Sequence, residues 1–164
     1  MGSTPDGVAL REVADEDLPV FFGHQLDPTA SHMAAFTAKD PADREAFAAH
    51  WKRILGDPAV RIRTVVFGQQ VAGYVGSYEL AGDLQVTYWI ERGLWGRGIA
   101  TEALRQFLGE TPRRPVYARA AHDNLRSLQV LQKCGFTVTG HEKGFANARG
   151  EEIEEVILKL ANDR

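Results

Sequence analysis

Leu84 to Leu108, LQVTYWIERGLWGRGIATEALRQFL, places an apolar and aromatic run, a glycine-studded turn and an amphipathic helix in immediate succession. The run from Val86 to Ile90 has the composition of a buried strand. Turn-prone residues follow at Gly93, Gly96, Gly98 and Ala100, and Ala100, Ala103, Leu104, Phe107 and Leu108 then recur at helical spacing on one face. A tight turn that feeds a helix N-terminus leaves backbone N–H groups without partners, and the missing Cβ atoms let an anion come close to them. The helix dipole adds partial positive charge at the same point, and Arg97 adds a full one. Gly96, Arg97, Gly98, Ile99, Ala100 and Thr101 are therefore read as a phosphate cradle. The turn is not a Walker loop, since no G-K-S/T closes it, and not G-x-G-x-x-G, since Gly96, Gly98 and Ala100 alternate. A crowded helix–strand packing site would use small residues in the same way, so the other segments have to decide.

The 164 residues suit one domain, 1–164, with 1–7 expected to be flexible. With 44% apolar and 25% charged residues the chain has a globular composition, which excludes disordered and fibrous classes. A net charge of −3 with no basic run gives no sign of a nucleic-acid surface. The one cysteine, Cys134, falls in an apolar helical pattern, which fits a reducing compartment. MGSTPDG lacks the regions of a signal peptide, and no apolar run is long enough to span a bilayer. A cytoplasmic protein with no membrane partner is expected.

Outward from the opening stretch, a strand is predicted over Val8–Val13. A helix follows, with acids Asp15, Glu16 and Asp17 in its first turn and an apolar stripe of Leu18, Phe21, Phe22 and Leu26. Residues 27–40 read as an irregular flap or short helix whose His32, Met33 and Phe36 could wall a substrate. Asp40-Pro41 reads as the start of a second helix, with Phe47, Trp51, Ile54 and Leu55 facing one way. Val60–Phe67, Val71–Tyr78 and Leu84–Glu91, joined by short turns, form an antiparallel meander. After the central helix, Val116–Ala120 makes a parallel crossover with Leu84–Glu91. A helix from Asp123 or Asn124 to Gly135 carries Leu125, Leu128, Leu131 and Cys134. A strand then runs from Phe136 to Gly140, a loop covers 141–150 with Phe145 and Asn147, and Ile153–Leu160 is the last strand. The sheet is mixed, and a ligand is expected where its strand order switches.

This order of elements resembles the GNAT superfamily of acyl-CoA-dependent N-acetyltransferases. TYWIERGLWGRGIATEAL resembles the family's pyrophosphate loop, Q/R-x-x-G-x-G/A, with Trp95, Gly98 and Ala100 at the defined positions. NLRSLQVLQKCGF, residues 124–136, resembles its second motif. The match spans Val8 to Leu160, and the two motifs at this separation are far more specific than either alone. Tyr-Trp-Ile before the turn and Trp-Gly-Arg-Gly within it are most similar to the branch of ribosomal-protein N-terminal acetyltransferases. The resemblance implies an α+β fold with a mixed, mostly antiparallel sheet, a splayed parallel pair and flanking helices. It implies acetyl-CoA as co-substrate and a primary amine as acceptor, either a small molecule or a peptide N-terminus, with a homodimer by analogy. Backbone groups near Trp89 and Ile90 would pair with the pantetheine arm, and Asn124 would bond it from the other side.

Acyl transfer by direct attack needs a neutral amine, a polarised thioester and a proton for the leaving thiolate. Many family members donate that proton from a tyrosine on the last helix, where this chain has Leu131. By resemblance to the ribosomal-protein branch, Ser127 is the first candidate donor, although a helix hydroxyl of this kind also bonds the preceding turn or the cofactor. A strand carboxylate that often serves as base falls on Gln85, which cannot titrate. Tyr88, Glu91, His24 and His32 remain as candidate bases. The histidines show no metal-ligand spacing, so no metal is expected. His122 and Asp123 read as caps, Glu151, Glu152, Glu154 and Glu155 as a solvated face, and Cys134 as packing. The missing tyrosine and Gln85 also admit a different function, a CoA-binding sensor that does not turn over.

Overall fold

The computed structural model describes residues 7–161. In chain order the elements are β1 (Val8–Glu12), α1 (Asp17–Gln25), α2 (Pro28–Ala34), α3 (Arg44–Leu55), β2 (Arg61–Phe67), β3 (Gln70–Leu80), β4 (Asp83–Ile90), a 3-10 turn (Arg92–Leu94), α4 (Ile99–Gly109), β5 (Val116–Ala121), α5 (Leu125–Lys133), β6 (Thr137–Ala146) and β7 (Glu151–Leu160). The expected flexibility of residues 1–7 lies outside the described residues except at Gly7, whose carbonyl accepts the Gly68 N–H at 3.0 Å.

The seven strands form a sheet of order β1-β2-β3-β4-β5-β7-β6. Every neighbouring pair is antiparallel except β4 with β5. That parallel pair holds together only at Leu84↔Val116 and Gln85↔Tyr117, and beyond Gln85 the two strands part. The α+β sheet with a splayed parallel pair is thus as expected. Alternation along β3 and β4 sends side chains to opposite faces. Val75, Leu84, Val86 and Ile90 join Leu104, Phe107, Leu131 and Phe136 in a core beneath α4 and α5. Tyr74 on the other face meets Phe21 of α1 and Trp51 of α3 at ring-centroid distances of 5.2 and 5.0 Å.

Of the two readings of residues 27–40 the short helix is the one found, α2, because the Asp27 carboxylate accepts the N–H groups of Thr29 and Ala30 and Pro28 occupies the first turn. Several local expectations are corrected. Asp40-Pro41 does not open α3. Asp40 instead accepts the Ala42 N–H at 3.0 Å in a local turn, and Asp43 caps the helix through the Ala46 N–H at 3.0 Å. The predicted loop 141–150 is mostly strand, since β6 pairs with β7 out to Ala146↔Glu151 and only 147–150 turn the chain. Leu26 and Leu55, expected on apolar stripes, are exposed, and Leu125 is 66% exposed.

Asp17 lies in the first turn of α1, as expected, and is 1% exposed. It accepts two bonds from the Arg11 guanidinium at 2.7 and 2.9 Å, the Ala14 N–H at 2.8 Å and the Thr64 hydroxyl at 2.7 Å. It therefore ties α1 to β1 and β2. The bond from Arg11, above all, holds its carboxyl down to about 2 from a usual value of 3.8. A carboxylate whose pKa is depressed on folding stabilises the fold fully above the unfolded pKa, and that stability is lost as pH falls through the folded one. Asp17 should contribute about 2 kcal/mol at neutral pH, lost between about pH 4 and pH 2. Asp17→Asn should remove that acid dependence and destabilise the protein by about 2 to 4 kcal/mol, read from urea unfolding at pH 7 and pH 3. An unchanged pH dependence would refute this role.

Candidate active site

The turn after β4 is shaped by backbone conformation. Gly96 and Gly98 have φ of 79° and 78°, in the left-handed region where a Cβ is strained. Gly98 caps α4 with no side-chain bond to the helix, and the first N–H to return to a carbonyl is that of Glu102, to Gly98 at 3.1 Å. The N–H groups of Ile99, Ala100 and Thr101 thus lie ahead of the first intrahelical bond. Trp95 locks the turn onto the end of β4, its indole Nε1 donating to the Ile90 carbonyl at 2.8 Å. Arg97 lies over the Phe67 ring at 4.9 Å and Arg126 over the Trp95 ring at 5.6 Å.

A cavity of about 620 Å3 begins at this turn and follows the open edge of β4. All ten residues expected to hold a cofactor line it: Trp89, Ile90, Trp95, Gly96, Arg97, Gly98, Ile99, Ala100, Thr101 and Asn124. Which backbone groups face the splay follows from the ladder. The Glu91 N–H bonds Ala72 of β3 at 2.8 Å, and alternate residues share a direction. The main chain of Tyr88 and Ile90 therefore turns toward the splay. That of Trp89 turns toward β3, where its carbonyl packs so closely against Gly73 that no side chain fits there. Trp89 also lines the cavity, and its indole Nε1 is buried and has no hydrogen-bond partner among the described residues. Asn124 caps α5 through the Ser127 N–H at 3.3 Å, and its amide donates to the Met33 carbonyl at 3.3 Å, which joins α5 to α2.

Of the three catalytic candidates, two come together. The Tyr88 hydroxyl and Ser127 Oγ are 2.7 Å apart, one reaching from β4 and the other from the first turn of α5, and both line the cavity. Burial pushes the Tyr88 phenol up to about 12 against the opposing effect of the Ser127 bond. At neutral pH the phenol therefore keeps its proton. Glu91 is outside the cavity lining, with its carboxylate 3.5 Å from His24 Nε2 and bonded by the Gln70 amide at 3.1 Å. Burial lowers the pKa of His24, more than Glu91 raises it, so His24 stays neutral at pH 7. His32 is exposed and joins a separate pocket beside α2. Leu131 and Gln85 are both buried.

Sequence reasoning missed part of the lining. Arg105, Arg126 and Lys133 supply cations beside Arg97, and Ala30, Met33 and Ala34 of α2 close the far wall, of which only Met33 had been considered. Arg126 and Lys133 are seven residues apart, hence on one face of α5, and that spacing beside a phosphate turn was a usable signal.

The profile described as "Acetyltransferase (GNAT) domain" matches residues 8–137. The chain belongs to the GNAT acetyltransferase family. No curated protein sequence matches it. Among solved structures, this GNAT enzyme is similar to RimL, a ribosomal L7/L12 alpha-N-protein acetyltransferase in complex with coenzyme A, at a TM-score of 0.82 and 16% identity over 98% of this chain and 97% of that one. It is similar to RimJ of Mycobacterium smegmatis in complex with CoA-disulfide, at 0.81 and 18% over 94% and 81% of the two chains. The spermidine N-acetyltransferase of Vibrio cholerae, in complex with CoA and spermine, gives 0.77 and 18% over 94% and 96%. At these identities the likeness is one of fold.

The donor set fits an acyl-CoA. Left-handed glycines leave room for a phosphate at N–H groups ahead of the first helical bond, four cationic side chains line the same cavity, and the unpaired edge of β4 can bond an extended amide chain. Among the described residues no helix is long and apolar enough to cross a membrane, and no group of three or more His, Cys, Asp or Glu could hold a metal.

Proposed function

We propose that the enzyme, acting as a single domain, transfers an acetyl group from acetyl-CoA to a primary amine by direct attack. The observation that carries this reading is the continuity of the cavity from the glycine turn to the Tyr88–Ser127 pair. The N–H groups between Gly96 and Thr101 would hold the pyrophosphate, with Arg97, Arg105, Arg126 and Lys133 supplying charge around it. The outward main chain of Tyr88 and Ile90 would bond the pantetheine arm, and a backbone N–H at the splay would polarise the thioester carbonyl. Acetyl-CoA supplies the activated acyl carbon. The amine nitrogen forms a bond to that carbon and releases a proton to solvent, the C–S bond breaks, and the electron pair leaves on sulfur. Tyr88 then donates to the sulfur, and Ser127, bonded to the same hydroxyl, orients the phenol and passes a proton back from solvent.

With Glu91 held by His24 and Gln70, the attacking ammonium sheds its proton to solvent before it enters. The value of kcat/KM for the amine should therefore rise about tenfold per pH unit until it reaches the pKa of the amine itself. An inflection that stays at one pH for amines of different basicity would show an enzyme base instead.

The reading is tested by amine-dependent release of free CoA from acetyl-CoA over a panel of amino acids, polyamines, aminoglycosides and peptide N-termini. Saturable release with one of these classes is expected. CoA binding with no amine-dependent release anywhere in the panel would make the protein a CoA-binding sensor instead.

A further inference from the structure

Arg119 lies on β5 two residues beyond Tyr117, the last position at which β5 pairs with β4, so it stands where the splay opens. Its neighbours Ala118 and Ala120 are buried, Ala118 in the core beneath α4 and α5, and Arg119 therefore projects from the opposite face of the sheet. There its Nη1 donates to Glu142 at 2.8 Å and to Glu155 at 3.2 Å. These glutamates sit directly opposite each other in the β6–β7 ladder, a like-charge pairing that the guanidinium between them offsets.

One corner of the guanidinium makes both contacts. Nε is buried and has no partner among the described residues, and Nη2 enters neither contact. The hydrogens on Nε and Nη2 share one edge of the planar group, the edge that meets a carboxylate through two parallel bonds. A charged donor left unpaired in a buried position is costly, so such an edge is expected to be matched by an acceptor. Lysine could serve the two glutamates as a point charge, whereas a planar fork with a spare edge is suited to a third oxygen ligand.

We propose that the Nε–Nη2 edge of Arg119 receives the carboxylate of the acceptor, so that the amines acetylated here are of amino-acid type. The inference rests on the acyl-transfer reading for the place of the amine. With the carboxylate on Arg119, the neutral amine of the same molecule would reach toward the opening of the splay, where β5 leaves β4 just before Arg119. A polyamine would leave the fork unpaired, and a peptide N-terminus would offer it only a neutral carbonyl.

The test uses each α-amino acid and its α-carboxamide as acceptors, with CoA release as readout. If the fork has no role, the amide has the advantage, because its amine is the less basic of the two. Expected is at least one amino acid with kcat/KM tenfold or more above its amide, and collapse of that ratio toward one in Arg119→Lys. This variant keeps a positive charge between Glu142 and Glu155, and its melting temperature reports whether the ribbon survives. Amides used as well as acids, a ratio unaltered in Arg119→Lys, or turnover confined to polyamines or peptide N-termini would each overturn the assignment. If no amine at all drives CoA release, the acyl-transfer reading fails and binding decides on Arg119. Calorimetric binding of an amino acid to the CoA-loaded protein, lost in Arg119→Lys, would sustain the assignment, and absence of binding would overturn it.

Discussion

Gly98→Trp should weaken CoA binding by more than about 100-fold, equivalent to at least about 2.7 kcal/mol, and should abolish acyl transfer at ordinary acetyl-CoA concentrations. Gly98 caps α4 at φ 78° and lines the cavity where N–H groups lie ahead of the first helical bond. An indole there would occupy the space of a phosphate and cover donors that no other part of the chain replaces. The backbone strain of a non-glycine residue at this φ is about 1 to 3 kcal/mol, which in a chain of this length lowers Tm by several degrees without unfolding it. Calorimetry with CoA, beside far-UV circular dichroism, separates the two effects. Gly96→Ala is the control, because a Cβ there would meet only the end of the Arg126 side chain at 3.4 Å and the turn would stay open. Unaltered CoA affinity in Gly98→Trp would refute the phosphate cradle.

The parts of this site legible in the sequence are those built from neighbours in the chain. The turn is a property of six consecutive residues, Gly96 to Thr101, and its glycines serve the backbone conformation directly. The splayed pair was legible because a strand, one helix and a strand leave few ways to connect, although the two-residue extent of its pairing was not. Tyr88 and Ser127 were both singled out, yet their partnership depends on how β4 and α5 meet across 39 positions, which no local pattern carries. The burial of Asp17, correctly placed in the first turn of α1, was not legible for the same reason. Among Asp15, Glu16 and Asp17 nothing local marks the one that Arg11 and Thr64 enclose once β1 pairs with β2. The β6 segment HEKGFA has no apolar alternation because an edge strand keeps most of its side chains in solvent, and its register comes from the ladder to β7. Arg119 combines both difficulties. Its position on β5 was readable, while Glu142 and Glu155 reach it only through the β6–β7 ribbon.

Tyr88→Phe should lower kcat about 100-fold or more while leaving the affinity for CoA within about threefold. The substitution keeps the ring that packs against the core and removes the hydroxyl bonded to Ser127. Because burial holds the phenol near 12, the donor stays protonated through the working range. The rate should therefore show no alkaline decline from this group up to about pH 10. Ser127→Ala should have the smaller effect, about 10-fold, since it removes the group that orients the phenol and leaves the donor itself in place. If Ser127 were the donor and Tyr88 only its support, the order of the two effects would reverse. If the thiolate left without protonation, both variants would retain nearly full kcat. Single-turnover rates of CoA release in the two variants, measured at saturating acetyl-CoA, distinguish the three cases, since each assigns a different member of the hydrogen-bonded pair to the sulfur.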